Sequence, residues 1–291
     1  MPITIMALAG LAALYLVLSP RFNYALYRPL MFHPYPFEPG TDQPPHFDNC
    51  QSQEIFFSKP SGEKLCGWFF ESADCDQIIL FSHGNAGNLS SRNYLVELQF
   101  RAGASVFVYD YCGFGKSEGL PTIEGICDDG LAAYDHVVSK LGYHPSNVIA
   151  YGESLGGAVA AYVSSQRECG GIIIQSGFES LRKIALDIFP LLHIFPVRMF
   201  PPQPLDSLSI VQLTHPPLLI VHGVLDPVVP YEHGKALYNA ACEPKELLTL
   251  PLTGHNDISN TAPNEYVAAL KRLLERCTAQ LSASSCLEKE C

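Results

Sequence analysis

The 291-residue sequence predicts an α/β fold: a mostly parallel sheet with helices packed on both faces. Two observations carry that expectation. Short, continuously apolar runs recur between stretches of helical periodicity, and continuous rather than alternating apolar strands mark a sheet buried on both sides. One of those runs, Asn147–Tyr151, leads through Gly152-Glu153-Ser154-Leu155-Gly156 into the small-residue run Gly157–Ala161, a strand, a sharp turn and a helix in immediate succession.

Composition fits a single large domain with a sizeable core, since 47% of the residues are apolar. The net charge is −11 and lysines and arginines form no run, which excludes nucleic acid as a partner and disfavours electrostatic adsorption to anionic lipid. Ten cysteines are spread without a C-x-x-C pair. They read as small, mostly buried, reduced side chains, so the domain is expected to face the cytosol. No metal-ligand spacing occurs, and Gly115-Lys116-Ser117 fails as a phosphate loop because Asp110 stands where a glycine is required. No cofactor and no metal are expected.

From Ile3 to Leu18 no residue is charged. As a helix this run spans about 25 Å, enough for a hydrocarbon core. A basic n-region and a small-x-small cleavage site are both missing, so the run reads as a transmembrane signal anchor over residues 1–20 rather than a cleaved leader. Arg21, Tyr24, Tyr27 and Arg28 suit the interface and bias the following chain to the cytoplasmic side. Residues 21–52 are Pro-rich and read as an extended linker. The main domain is expected over 53–281, with a tail over 282–291 whose Cys286 and Cys291 fit no prenylation pattern.

Within the domain, Glu54–Ser58 and Leu65–Glu71 form an expected antiparallel hairpin around Lys59-Pro60-Ser61-Gly62. Strands follow at Gln77–Ser82, Ser105–Tyr109, Asn147–Tyr151, Gly171–Gln175, Leu218–Val221 and Leu247–Leu250. Helices are expected over 89–101, from a Thr122 cap through the apolar face Cys127, Leu131, Tyr134 and Val138, near 231–241, and from Pro263 to Thr278. Between about 178 and 216 the chain is apolar but broken by Pro190, Pro196, Pro201 and Pro202, which forbid a long helix. This insertion leaves the carboxyl end of a strand, where ligands of open α/β sheets bind, and reads as a lid.

The chemistry centres on the turn. Gly-x-Ser-x-Gly between strand and helix exposes a serine on a sharp, strained corner. A serine hydroxyl needs an adjacent base, and the base needs a carboxylate to orient it. His255, in Thr253-Gly254-His255-Asn256-Asp257, follows the last strand, and Asp226, in His222-Gly223-Val224-Leu225-Asp226-Pro227, follows the one before. The chain order Ser154, Asp226, His255 is that of the α/β-hydrolase arrangement, with all three at carboxyl ends of strands. Glu179 is the runner-up acid; Asp257 is expected to cap or pack locally. His83 and His222 precede glycines at strand ends, where a side chain pins a loop. The amides of Leu155 and Asn85 are the expected oxyanion hole.

Ser82–Asn88, Tyr109–Gly119, Gly152–Gly157, His222–Pro230 and Gly254–Asp257 together resemble the membrane-anchored α/β-hydrolase-domain proteins 13 and 17 and their microbial relatives, over about residues 20 to 277. The resemblance implies an α/β-hydrolase fold and a serine hydrolase, with Ser154, Asp226 and His255 at the family's triad positions. The number 17 group is associated with removing palmitoyl thioesters from proteins. Cys112 departs from the pattern, since the family usually has an arginine in Asp-Tyr-Arg-Gly; that change bears on how the loop is ordered rather than on the triad. The cysteine-rich amino terminus of the number 17 group is also replaced by an apolar run, which favours the number 13 type.

The expected function is therefore cleavage of esters or thioesters, of small molecules or acylated proteins, through an acyl-enzyme. The alternatives are a serine peptidase of the same fold and a non-catalytic, membrane-tethered binding protein on a hydrolase scaffold.

Overall fold

The computed structural model describes residues 2–287, apart from 49, 74 and 203. The chain opens with α1 (Pro2–Val17), α2 (Tyr24–Met31) and the two-residue strand β1 (His33–Pro34). The expected hairpin follows as β2 (Gln51–Ser58) and β3 (Lys64–Glu71), paired antiparallel. Next come β4 (Ile78–Ser82), β5 (Ala86–Gly87), a 3₁₀ turn at Leu89–Arg92, α3 (Asn93–Arg101) and β6 (Ser105–Tyr109). Then α4 (Ile123–Ser139), β7 (Val148–Glu153), α5 (Leu155–Gln166) and β8 (Gly171–Gln175). The insertion holds α6 (Leu181–Ile188) and α7 (Ser207–Val211), and the chain finishes through β9 (Leu218–Gly223), α8 (Tyr231–Ala240), β10 (Lys245–Leu250), α9 (Ile258–Thr261) and α10 (Pro263–Leu287).

These strands build an eight-stranded sheet in the order β10-β9-β8-β7-β4-β6-β3-β2, parallel from β10 to β6. The chain leaves β4 toward β6 on one side and returns through α4 to β7 on the other. That reversal opens a crevice at the carboxyl ends of β4 and β7, the place where open α/β sheets bind ligands. Ser82 in β4 pairs with Gly152 in β7, so the loops that follow the two strands start side by side.

Period-2 alternation sends successive side chains to opposite layers. Leu80, Phe107 and Ala150 pack under α4 and α5 with Ile126, Ala133 and Val159. Phe81, Val108 and Tyr151 face α3 and α10 with Leu95, Tyr266 and Leu270. Each large apolar side chain buried this way contributes about 1.5–3 kcal/mol. Thr122 caps α4 as expected, its Oγ1 accepting the Gly125 N–H at 2.8 Å.

The amino-terminal expectations need correction. α1 has 16 residues, a length of about 24 Å against a hydrocarbon core of about 30 Å. Among the described residues no helix is long and apolar enough to cross a membrane, so the transmembrane signal anchor is not found. Instead the Tyr15 ring lies 4.9 Å from that of Phe195 and its hydroxyl donates to the Ile194 carbonyl at 2.7 Å, which ties α1 to the insertion. Residues 21–52 are not wholly extended either. Asn23 Oδ1 accepts the Leu26 N–H at 3.3 Å and starts α2, whose helical turns hold even Pro29. At the other end α10 runs into the expected tail as far as Leu287, because no proline or glycine stops it. Cys291, like the side chain of Cys286, lies outside the described residues.

Candidate active site

Ser154 sits between β7 and α5 with φ 55° and ψ −116°, a backbone region that side chains rarely adopt. Neighbouring glycines permit the corner. A Cβ on Gly152 would overlap the Gly156 carbonyl, and one on Gly156 would overlap the Ser82 carbonyl of the adjoining strand. The Ser154 N–H donates to the Gln175 carbonyl at 2.8 Å, which anchors the turn to the end of β8.

Asp226 and His255 come from the loops after β9 and β10. His255 Nδ1 donates to Asp226 Oδ2 at 2.7 Å, leaving the lone pair of a neutral ring on Nε2. Asp226 Oδ1 accepts the N–H groups of Val228 and Val229, both at 2.8 Å. Burial raises the Asp226 pKa, but the His255 contact and these amides outweigh it and hold the carboxyl below its usual range. His222 pins the same loop, with Nε2 2.9 Å from the Val229 carbonyl. Asp257 does not cap α9 through its side chain; its Oδ1 accepts the Gly254 N–H at 2.7 Å and shapes the turn before His255.

The end of β8 connects the two halves. Ser176 donates its N–H to the Val221 carbonyl at 2.8 Å and its hydroxyl to the His255 carbonyl at 3.5 Å. Ser154 and the His255–Asp226 pair thus share one end of the sheet, although no hydrogen bond joins Ser154 to His255 among the described residues; catalytic contacts of this kind often tighten only when substrate binds. Glu179, the runner-up acid, faces another histidine: its Oε1 lies 3.2 Å from His233 Nδ1.

Asn85 and Leu155 line the same pocket as Ser154. Leu155 opens α5, where amides have no intrahelical acceptor. The Asn85 carbonyl accepts the His33 N–H at 2.8 Å, part of a parallel pairing of β1 with β5 that braces the loop from outside. From inside, the loop is held by His83, whose Nε2 lies 3.3 Å from Asp110 Oδ1, while the same oxygen accepts the Leu89 N–H at 2.8 Å. Arg92 completes the brace: it donates to the Ala86 carbonyl at 3.1 Å and pairs with Glu153 Oε2 at 2.5 Å. Sequence alone assigns Arg92 and Glu153 no role and reads Asp110 only as the residue that defeats a phosphate loop; the signal for Glu153 is a charge inside a turn that must be buried.

Cys112 resolves into a rearranged ion pair. Its N–H donates to Asp129 Oδ2 at 2.8 Å, and the cation beside that buried carboxylate is Lys59, from the hairpin turn, at 2.8 Å from Oδ1. Lys59 thus supplies the positive charge beside Asp129, next to the Cys112 amide.

The pocket at Ser154 measures about 130 Å³ and is walled by Leu155, Phe178, Leu181, Ile184, Phe189 and Val229, with Asn85 the polar member. Among the described residues no group of metal-ligating side chains is found.

The architecture agrees with comparisons to known proteins. The family model described as serine aminopeptidase, S33, matches residues 73–207. The uncharacterized protein YfhR of Escherichia coli K12 is 33% identical over 226 residues, 72% of this chain and 75% of that protein. The α/β-hydrolase domain-containing protein 17C of Mus musculus is 31% identical over 224 residues, 76% of this chain and 67% of that protein. Among solved structures, an esterase of Pyrococcus furiosus superposes with a TM-score of 0.68 at 18% identity, covering 84% of this chain and 97% of that one. With a relative more than 30% identical across most of its length and the strand order in place, the chain belongs to the α/β-hydrolase family, a hydrolase related to the α/β-hydrolase-domain-containing proteins.

Proposed function

We propose that the protein cleaves carboxylic esters or thioesters by acyl transfer through Ser154. The reading rests on one observation above the others: a hydrogen-bonded His255–Asp226 pair shares the sheet end with a serine held at φ 55° in an apolar pocket. Ser154 Oγ attacks the acyl carbon while its proton passes to His255 Nε2, and Asp226 stabilises the imidazolium. The Leu155 and Asn85 amides receive the oxyanion; losing one such donor slows catalysis roughly a hundred- to a thousandfold. Collapse expels the alcohol or thiol, which takes the proton from His255. Water then gives a proton to His255, attacks the acyl-enzyme and releases the acid, and Ser154 regains its hydrogen.

An aminopeptidase would need an acidic group to hold a free amino terminus, and the Ser154 pocket is walled by apolar side chains. That favours ester or thioester substrates over peptides. Labelling with a fluorophosphonate tests the nucleophile: the wild-type protein should react and Ser154→Ala should not. Equal labelling of the two, or none of either, would remove the proposal in favour of another nucleophile or a non-catalytic binding role.

We further propose a lipid surface as the setting. α1 lies outside the sheet core and exposes Ile5, Met6, Leu8, Leu11 and Leu14, apolar side chains on every side of an uncharged helix that water solvates poorly and lipid would cover. Deleting residues 3–18 should shift the protein from the membrane fraction to the soluble one; an unchanged distribution would rule this out.

A further inference from the structure

A second cavity, of about 70 Å³, adjoins the Ser154 pocket between α2 and the insertion. The two have Leu30, Met31, Leu181, Ala185 and Phe189 in common, so one wall serves both. Past that wall the second cavity is lined by Tyr27, Leu192 and Phe200. Of its polar neighbours, the Tyr27 hydroxyl is occupied, donating to the Leu18 carbonyl at 2.6 Å, and the Arg182 guanidinium lies 6.0 Å from the centre of the Phe200 ring. Both spaces are well below the roughly 300–1,000 Å³ of pockets that take drug-sized ring systems. Two adjoining small spaces lined by carbon suit an acyl chain, which can bend from one into the next, better than a ring system.

Resting on the acyl-transfer reading above, we propose that this second cavity receives the distal methylenes of the acyl chain carried on Ser154. For that, the shared wall must admit the chain between Leu30 of α2 and Ala185 of α6, and that passage sets chain length. One side of that passage, α2, lies before the residues matched by the family model, so the amino-terminal segment supplies a specificity element to the hydrolase domain. Apolar burial gives the selectivity its size, since each methylene taken out of water is worth about fourfold in binding.

The test is the ratio of kcat/KM on p-nitrophenyl dodecanoate to that on p-nitrophenyl acetate, measured on the full chain for wild type, Ala185→Trp and Leu30→Trp. The two variants narrow the passage from opposite sides, and Leu30 is half exposed and Ala185 partly so, which limits the effect on folding. Wild type should favour the dodecanoate, and each variant should lower the ratio by at least about sixteenfold, the worth of two methylenes. A ratio unchanged in both variants, with fluorophosphonate labelling intact, would overturn the proposal while leaving the acyl-transfer reading standing. Wild-type protein that neither labels nor turns over any ester would overturn both.

Discussion

Arg92 Nε and Glu153 Oε2 meet at 2.5 Å in a pair largely shut off from water, and the pair joins the Asn85 loop to the residue before Ser154. Burial alone would lower the guanidinium pKa, but Glu153 more than reverses that, and Arg92 titrates above its ordinary value. The consequence is mechanical. The two loops that would aim at one reacting carbon in the proposed mechanism are locked to each other by charge. Glu153→Gln leaves a buried cation with no counter-ion, and should cost about 3–5 kcal/mol in urea unfolding. Turnover per labelled active site should fall as well, because the Asn85 amide loses its reference to Ser154. A folded variant with wild-type kcat would show that the pair matters for stability alone.

The Lys59–Asp129 pair makes a different prediction. Both side chains are buried, so Lys59→Ala should destabilise the fold by about 3 kcal/mol or more. Adding Cys112→Arg to Lys59→Ala should recover part of that loss, since the new guanidinium would occupy the vacated site beside Asp129. A double variant no more stable than Lys59→Ala would refute the idea that the two positions are interchangeable sources of charge.

The orienting acid can be assigned by kinetics. With His255 bound to Asp226 at 2.7 Å and Glu179 facing His233, Asp226→Asn should lower kcat by about four orders of magnitude while Glu179→Gln leaves it near wild type. The reverse result would transfer the role to Glu179.

Acid should weaken the fold through buried histidines. Burial pushes the pKa of His222 down despite the Val229 carbonyl, and that of His233 down despite Glu179 and Asp187. An unfolded histidine titrates near 6.5, so across the window below that value the unfolded chain binds more protons than the native one. Stability therefore rises with pH there: this contribution is complete above about pH 6.5 and is lost as pH falls through the lower native values. Urea midpoints at constant ionic strength should drop between pH 7 and pH 5, and His233→Gln should flatten the slope. Asp226, held low, gives way only below about pH 4.

Backbone strain at Ser154 predicts a trade between stability and activity. At φ 55° any Cβ is disfavoured, so Ser154→Gly should be more stable than Ser154→Ala by about 1 kcal/mol or more. Both variants should be inert. Equal denaturation midpoints would show that the corner carries no strain.

Strands such as Ser105–Tyr109 and Gly171–Gln175 were legible to the residue because they are continuously apolar and bounded by turn residues. Ser154, Asp226 and His255 were legible because each lies just after a strand, where a parallel sheet gathers its loops. Harder to read was whatever depended on a partner distant in sequence. α2 hid in a proline-rich stretch because its Asn23 cap is local but its stabilising wall, the insertion, lies more than a hundred residues away. Lys59 looked like a turn residue, and only folding brings it to Asp129. The run Ile3–Leu18 matched a membrane span in composition, yet its helix closes at Val17 and lies against Phe195.

The short pairing of β1 with β5 has a practical outcome. His33 and Tyr35 donate to the carbonyls of Asn85 and Gly87, and Asn88 returns a bond to Tyr35. A polypeptide clipped just ahead of Gln51 would keep all eight strands of the main sheet and still lose the outer clasp on its Asn85 loop. Such a species would also lose Phe32 and Phe37 from their contacts with Phe114 and Trp68, so the segment ahead of the main sheet braces the Asn85 loop and the body together.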